Sequence, residues 1–314
     1  MENALLIRFG GLGDLLVALP AIRLLRLSFP SARLILSCRK TYGALLREAG
    51  VADRIIPEDS PLLLPLFNDF PASSGREVGW LKEFDLIAGW MQGEKAGHLE
   101  QILAASNLTA KICIIHSLFA KNEKLSLFFF RKTGEIANVD DSIPFEKCAL
   151  LPLTVEMRAK GLALRGDEKP AGRYAVVHPG SGGAAKQWPA ARFMAIIERL
   201  GENAVGGALI TGEAEVKWEA ELERISLPPG WKRHHKPDLT ALAGLLSESS
   251  LYLGNDSGVT HLAAACGANV VAIFLEDLAD SWRPYGRVHL HRAARLDEIG
   301  VDSVWKTISE LLRL

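Results

Sequence analysis

Short apolar runs along this chain alternate with helix-length amphipathic stretches. Ala4–Phe9 (ALLIRF) predicts a strand, Leu15–Leu27 a largely apolar helix from which Arg23 and Arg26 emerge, and Arg33–Ser37 (RLILS) a second strand. A helical Tyr42–Ala49 follows, then strands at Asp85–Ala88 and Lys111–Ile115. Strands alternating with helices predict a parallel sheet covered on both faces. Pro20 fits the first helix if that helix begins only a few residues earlier, where the missing N–H is unneeded.

The pattern restarts after the polar stretch 166–172 (GDEKPAG), which has linker composition. Tyr174–His178, Gly207–Thr211, Leu251–Leu253 and Val270–Phe274 predict strands. Ala190–Leu200, Glu213–Ile225, Leu239–Ser247 and Val259–Cys266 predict helices. The expected fold class is therefore α/β, with one unit at 1–165 and a second at 166–300. The last stretch, 301–314, has helical spacing and could pack back on the first unit. A length of 314 residues suits two domains of about 100–200 residues each.

Composition narrows the class of function. Lys and Arg number 36 against 37 Asp and Glu, so the basic excess of a dedicated nucleic-acid binder is missing. The four cysteines, Cys38, Cys113, Cys148 and Cys266, are scattered, with no CxxC pair and no histidine at ligand spacing. That pattern predicts neither a disulfide framework nor a zinc site, and it fits a reducing compartment. No apolar run reaches the roughly 18–20 residues of a membrane span, and the start does not read as a signal peptide. A soluble, cytoplasmic protein is expected.

Three strand-to-helix loops carry candidate chemistry. The first holds Gly10, Gly11 and Gly13 with Asp14 as its one carboxylate. It is neither GxGxxG nor a Walker loop, which speaks against a nicotinamide or ATP site. Asp14 reads either as a helix cap or as an acceptor of a proton from an attacking hydroxyl. The second loop, His178–Pro189 (HPGSGGAAKQWP), combines glycines with Lys186 and suits an anionic ligand, or else is a plain turn with a solvated lysine. The third, Gly254–His261 (GNDSGVTH), opens a helix at Asp256 or Ser257 whose free N–H groups could face a pyrophosphate. His261 could add a donor or be purely structural.

In order, these loops and one more segment resemble the heptosyltransferases of lipopolysaccharide synthesis, glycosyltransferase family 9. The matching pieces are I-R-F-G-G-L-G-D-L-L-x-x-L-P-A, H-P-G-S with K-Q-W-P, D-L-T-x-L-A-x-L-L at 238–246, and G-N-D-S-G-V-T-H-L-A-A-A. The resemblance implies the GT-B architecture, two Rossmann-like parallel-sheet domains facing a cleft that closes on the donor. It implies an inverting, metal-independent transfer of heptose from ADP-heptose to a lipopolysaccharide core acceptor, with no cofactor beyond the donor substrate. The acceptor would bind the N-terminal domain, beside Gly10, Gly11 and Gly13, and the nucleotide sugar the C-terminal one. Asp14 falls on the family's general base and Lys186 on the lysine that neutralises the diphosphate. Ser181, Asp256, Ser257, Gly258, Val259, Thr260 and His261 fall on the donor-cradling loops, and Glu215, with Glu213 close by, on a ribose-binding glutamate.

The implied partners are a nucleotide-sugar donor and a lipid-linked saccharide acceptor, with peripheral contact at the inner face of a bacterial inner membrane. The chain departs from the family in two places, at the loop after Phe274 and in the middle of the N-terminal half, where about residues 57–82 and 116–147 match nothing specific. After Phe274 the family continues Gly-Pro-Thr, whereas this chain has Leu275-Glu276-Asp277, whose acids are expected to face solvent. Residues 117–132 (SLFAKNEKLSLFFFRK) could lie on anionic lipid or, the preferred reading, pack in the core with solvated lysines. The competing readings are a relative using another nucleotide sugar or a different acceptor, and a catalytically silent sugar-nucleotide-binding protein.

Overall fold

The computed structural model describes residues 1–67, 78–106, 108–117, 123–139, 142–166, 172–212 and 226–314. The expected helix 213–225, with Glu213 and Glu215, lies outside the described residues. The chain divides into two units, Met1–Pro152 and Leu153–Leu314.

In the first unit the elements run β1 (Asn3–Ile7), α1 (Leu12–Ser28), β2 (Arg33–Cys38), α2 (Lys40–Glu48), β3 (Arg54–Pro57), β4 (Leu86–Met91), α3 (Glu94–Ala105), β5 (Lys111–His116), α4 (Leu125–Ala137) and α5 (Phe145–Ala149). Two short 3-10 turns, Pro61–Leu66 and Gly79–Glu83, lie between β3 and β4. The sheet is parallel throughout, in the order β3-β2-β1-β4-β5. Its order reverses between β1 and β4, and ligands of open parallel sheets gather beyond the carboxyl ends at such a point.

Helix α1 is buried almost all round, from Leu12 to Leu25, because it is covered by α4 and α5 as well as by its own sheet. A helix enclosed on every side has no polar stripe, and its boundaries are hard to read from periodicity. It starts at Leu12, so Pro20 is its ninth residue rather than an early one, and the helix continues through it. Arg23 and Arg26 leave this apolar cylinder to serve backbone carbonyls. Arg23 donates to Lys147 and Leu150 at the end of α5, and Arg26 donates to Ala32 while pairing with Asp53. The aromatic run in α4 is also core: Phe128 and Phe129 are buried, and the ring of Phe130 meets that of Phe145 edge-on at 5.3 Å. Arg131 pairs with Glu123 and Glu135, and Lys132 with Glu135. These contacts favour the core-packed reading of the segment, of which 118–122 lie outside the described residues. Among the described residues no helix is long and apolar enough to cross a membrane.

The second unit runs α6 (Val155–Arg165), β6 (Tyr174–His178), α7 (Ala190–Glu202), β7 (Gly206–Thr211), β8 (Trp231–His235), α8 (Leu239–Ser247), β9 (Leu251–Asn255), α9 (Gly258–Ala265), β10 (Val270–Leu275), α10 (Glu276–Trp282), β11 (Val288–Ala293) and α11 (Val301–Leu312). Its parallel sheet has the order β11-β10-β9-β6-β7-β8, reversing between β6 and β9. Two expectations about boundaries change. The division falls at 152/153 rather than 165/166, because α6 packs along α8 and belongs with it. The final helix α11 belongs to the second unit and packs in its core: Val304, Ile308 and Leu312 share a cluster with Phe193, Ile197 and Val271.

The α6–α8 contact depends on two glycines. A Cβ at Gly161 would lie 2.2 Å from backbone atoms of Gly244 and Leu245, and one at Gly244 would lie 1.9 Å from the Met157 carbonyl. Backbone cannot yield as a side chain can, so Gly161→Ala must push the helices apart. The expected loss is about 1–3 kcal/mol, read as a lower urea midpoint. An unchanged midpoint would mean the helices do not meet this closely.

Candidate functional site

The loop after β1 reaches α1 through Gly10 and Gly11, with Gly11 as the N-cap, Gly13 in the first turn and Asp14 as the third helical residue. Gly10 has φ +116°, and a Cβ there would stand 2.7 Å from Asp14 Oδ2, so a side chain would press on the carboxylate. Asp14 Oδ2 accepts the Gly11 N–H at 2.8 Å, which makes it a cap. Capping leaves its side chain 33% exposed and open to a second partner.

The loop motif did not mark Arg8, yet it governs this carboxylate. Arg8 is 4% exposed at the end of an apolar strand. Its Nη2 donates to Asp14 Oδ1 at 2.8 Å, its Nε to the Asp14 carbonyl at 2.9 Å, and its Nη1 to the Trp90 carbonyl at 2.7 Å. The guanidinium also lies over the Phe129 ring at 5.7 Å. Burial pulls the Arg8 guanidinium below its ordinary value, while the negative Asp14 opposes that shift. The available signal was a lone cation inside ALLIRF, which a strand buried on both faces tolerates only with a partner.

In the second unit the two remaining loops follow β6 and β9, the neighbouring strands at which the sheet order reverses. They are joined by side chains. Lys186 Nζ lies 2.6 Å from Asp256 Oδ2, Ser181 Oγ donates to the Asp256 carbonyl at 2.7 Å, and Gln187 Nε2 donates back to the Ser181 carbonyl at 2.9 Å. Asn255 is fully buried and holds both loops through one amide: its Nδ2 donates to the Pro179 carbonyl, and its Oδ1 accepts the Trp188 N–H. Trp188 is an anchor, buried against Phe193 with its indole N–H on the Ile299 carbonyl.

Ser257 is the N-cap of α9, its Oγ accepting the Thr260 N–H. Ser257, Gly258 and Val259 are half-buried at the mouth of the helix, where open N–H groups and the positive end of the dipole suit an anion. Thr260 turns inward instead: its hydroxyl contacts the Asn255 carbonyl and Tyr252, so it shapes the turn rather than reaching outward. His261 is buried one turn in, at 5% exposure. Asp256 is itself 8% exposed, whereas Lys186 is 38% exposed and so remains within reach of a ligand. Glu276 and Asp277 face solvent, as expected, in the first turn of α10.

His178 is buried beneath this cap, its Nδ1 3.3 Å from Ser257 Oγ. Burial lowers its pKa from 6.5 to about 4. The unfolded chain therefore binds a proton between those values that the folded chain refuses. His178 stabilisation is complete above pH 6.5 and is lost as pH falls toward 4, by about 3 kcal/mol in all. Urea unfolding at pH 7 and pH 4.5 should show this loss, with a smaller loss in His178→Asn; equal losses would discount the buried neutral imidazole. Among the described residues no group of three or more His, Cys, Asp or Glu could hold a metal ion.

Residues 152–296 match the family described as glycosyltransferase family 9 (heptosyltransferase). No curated protein sequence matches the chain. Solved structures resemble it over its whole length. The glycosyl transferase family 9 protein of Veillonella parvula DSM 2008 has TM-score 0.79 at 16% identity, over 99% of this chain and 97% of that one. The E. coli ADP-heptose LPS heptosyltransferase II has TM-score 0.76 at 14% identity, over 100% and 99%. The E. coli heptosyltransferase WaaC, solved with ADP, has TM-score 0.71 at 16% identity, over 99% and 100%. The likenesses give the fold, two parallel α/β units of the GT-B kind, and the family match falls on the unit that carries Lys186 and Asp256. On that match, residues 152–296 are similar to the glycosyltransferase family 9 (heptosyltransferase) domain, and the chain as a whole has the fold of those enzymes.

Proposed function

We propose that the protein transfers heptose from ADP-heptose to a hydroxyl of a lipopolysaccharide core acceptor, with inversion and without a metal. The observation that carries this reading is the meeting of Lys186, Ser181 and Asp256 with the open end of α9 at the switch point of the family-matched unit. Lys186 and the Ser257–Val259 end of α9 would take the diphosphate, by charge and by backbone N–H groups. That stabilises the departing ADP, so the leaving group needs no proton from an acid. Asp14 would take the proton from the acceptor hydroxyl as its oxygen bonds to the anomeric carbon and the carbon–phosphate oxygen bond breaks. Glu215 would contact the ribose. The acceptor would be lipid-linked, and contact with the membrane that bears it would be peripheral.

The test is calorimetry with ADP, UDP and GDP, followed by product analysis with ADP-heptose. Selective ADP binding and a product of inverted anomeric configuration are expected; preference for UDP or GDP would reassign the donor, and retained configuration would remove the single-base mechanism. Lys186→Met is expected to weaken ADP binding about 10–100-fold, the range of a lost charge-assisted hydrogen bond. Unchanged affinity would show that Lys186 serves only Asp256.

A further inference from the structure

Ser257 Oγ meets three polar groups at the mouth of α9. It accepts the Thr260 N–H at 3.4 Å, lies 3.2 Å from Thr260 Oγ1, and lies 3.3 Å from His178 Nδ1. A hydroxyl has one proton to give and two lone pairs to fill, which restricts how these contacts can be made. Burial holds the His178 imidazole neutral, so its two ring nitrogens share a single proton.

Thr260 sets the first direction. Its hydroxyl is bonded to the Asn255 carbonyl, which can only accept, so the Thr260 proton is committed there. Toward its other neighbours Thr260 Oγ1 is therefore an acceptor. Tyr252, wholly buried, must donate to it across their 2.9 Å contact. Gly254 leaves room for that phenol, since a Cβ there would stand 2.3 Å from the Tyr252 oxygen. The contact between Ser257 and Thr260 then requires the Ser257 proton, and the contact with His178 requires a proton on Nδ1. With Nδ1 bare, one of these two contacts would set lone pair against lone pair beside a buried ring, which is unfavourable.

We propose that His178 is a positioning residue of the donor site: it carries its proton on Nδ1, donates to Ser257 Oγ, and keeps the Ser257 proton available to an anionic ligand. This rests on the reading of the open end of α9 as the diphosphate site. In the arrangement described, the Ser257 proton lies on Thr260 Oγ1, which also receives Tyr252. When a phosphate oxygen arrives, the hydroxyl turns outward and gives up that one bond. The His178 Nδ1–H and the Thr260 N–H meanwhile hold its oxygen in place, so the new bond to the anion is made by a fixed donor. An imidazole with Nδ1 bare would compete for the same proton and leave Ser257 to present a lone pair to the anion.

Ring-nitrogen NMR of the full chain, labelled with ¹⁵N-histidine, reads the tautomer directly, and His178→Asn assigns its signals. A protonated Nδ1 is expected; a bare Nδ1 would overturn the proposal and leave the donor reading intact. Calorimetry with ADP and with inorganic pyrophosphate tests the consequence. His178→Leu is expected to weaken both ligands about tenfold, the range of one weakened charge-assisted bond, but to add little in a Ser257→Ala background. His178→Asn, whose amide N–H can take the place of Nδ1–H, should recover most of the affinity. Equal weakening by His178→Leu with and without the Ser257 hydroxyl would make His178 structural only and overturn the proposal. Should the leucine variant fail to fold, the tautomer and the asparagine variant still decide, a tenfold loss in His178→Asn counting against the proposal. Pyrophosphate binding without ADP binding would remove the adenosine donor alone, and binding of neither would overturn both readings.

Discussion

Asp14→Asn is expected to lower heptose transfer about 10²–10⁴-fold, the usual contribution of a positioned general base. Asparagine keeps the size of the side chain and can still accept from one of the two donors that now hold it, Arg8 Nη2 and the Gly11 N–H. Its NH₂ group must then face the other donor, so a modest fall in stability should accompany the loss of rate. On the proposed reading ADP binding should be unchanged, because the residues that would face the diphosphate belong to the second unit. Calorimetry with ADP and initial rates with ADP-heptose on the same preparation separate the two effects. A variant that still binds ADP and turns over at the wild-type rate would reduce Asp14 to a helix cap.

Arg8→Met should produce the second largest effect, with a different signature. The substitution removes three donated bonds, to the Trp90 carbonyl, the Asp14 carbonyl and Asp14 Oδ1. Breaking a wholly buried pair costs about 3–5 kcal/mol, but Asp14 is one-third exposed and water can partly replace the guanidinium. A loss of about 1–3 kcal/mol is therefore expected, read from urea unfolding. Transfer should fall about 10–100-fold in kcat with little change in donor KM, since a misplaced catalytic group slows chemistry more than binding. Arg8→Lys, which retains the charge but loses the fork, should recover part of the stability and less of the rate. A variant that lost stability alone, with kcat intact, would make Arg8 a structural residue only.

The alternation of the chain made much of this fold legible. YAVVH and LTALAGLLS are short segments with clear apolar character, and the strand and helix they form are the ones periodicity predicts. Helix α1 was harder, since a helix buried on all sides carries no stripe to mark where it begins. The unit boundary was missed because a polar, Gly- and Pro-containing stretch resembles a linker wherever it falls. What binds α6 to the second unit is a close approach between Gly161 and Gly244, and no local window reveals it. The same limit applied to the site. Glycines, a carboxylate and a lysine in loops after strands are visible as motifs, whereas the partners that orient them are distant in sequence. Trp90 lies 82 residues from Arg8, and Asp256 lies 70 from Lys186. Phe128–Phe130 is an apolar run that could serve lipid or core, and the burial of Phe128 and Phe129 agrees with the preferred core reading.

Asn255 sets a limit on how the second unit can be dissected. Because one buried amide holds the carbonyl of Pro179 and the N–H of Trp188, the loop after β6 and the turn into α9 share a support and should respond to perturbation together. Substitutions at Ser181, Lys186 and Asp256 should accordingly be non-additive, with coupling energies of about 0.5–3 kcal/mol in double-mutant cycles. Their single-site effects overlap and cannot be summed into a total for donor binding. In evolutionary terms the two loops form one heritable unit: a change of donor that reshapes either loop has to be accommodated by the other.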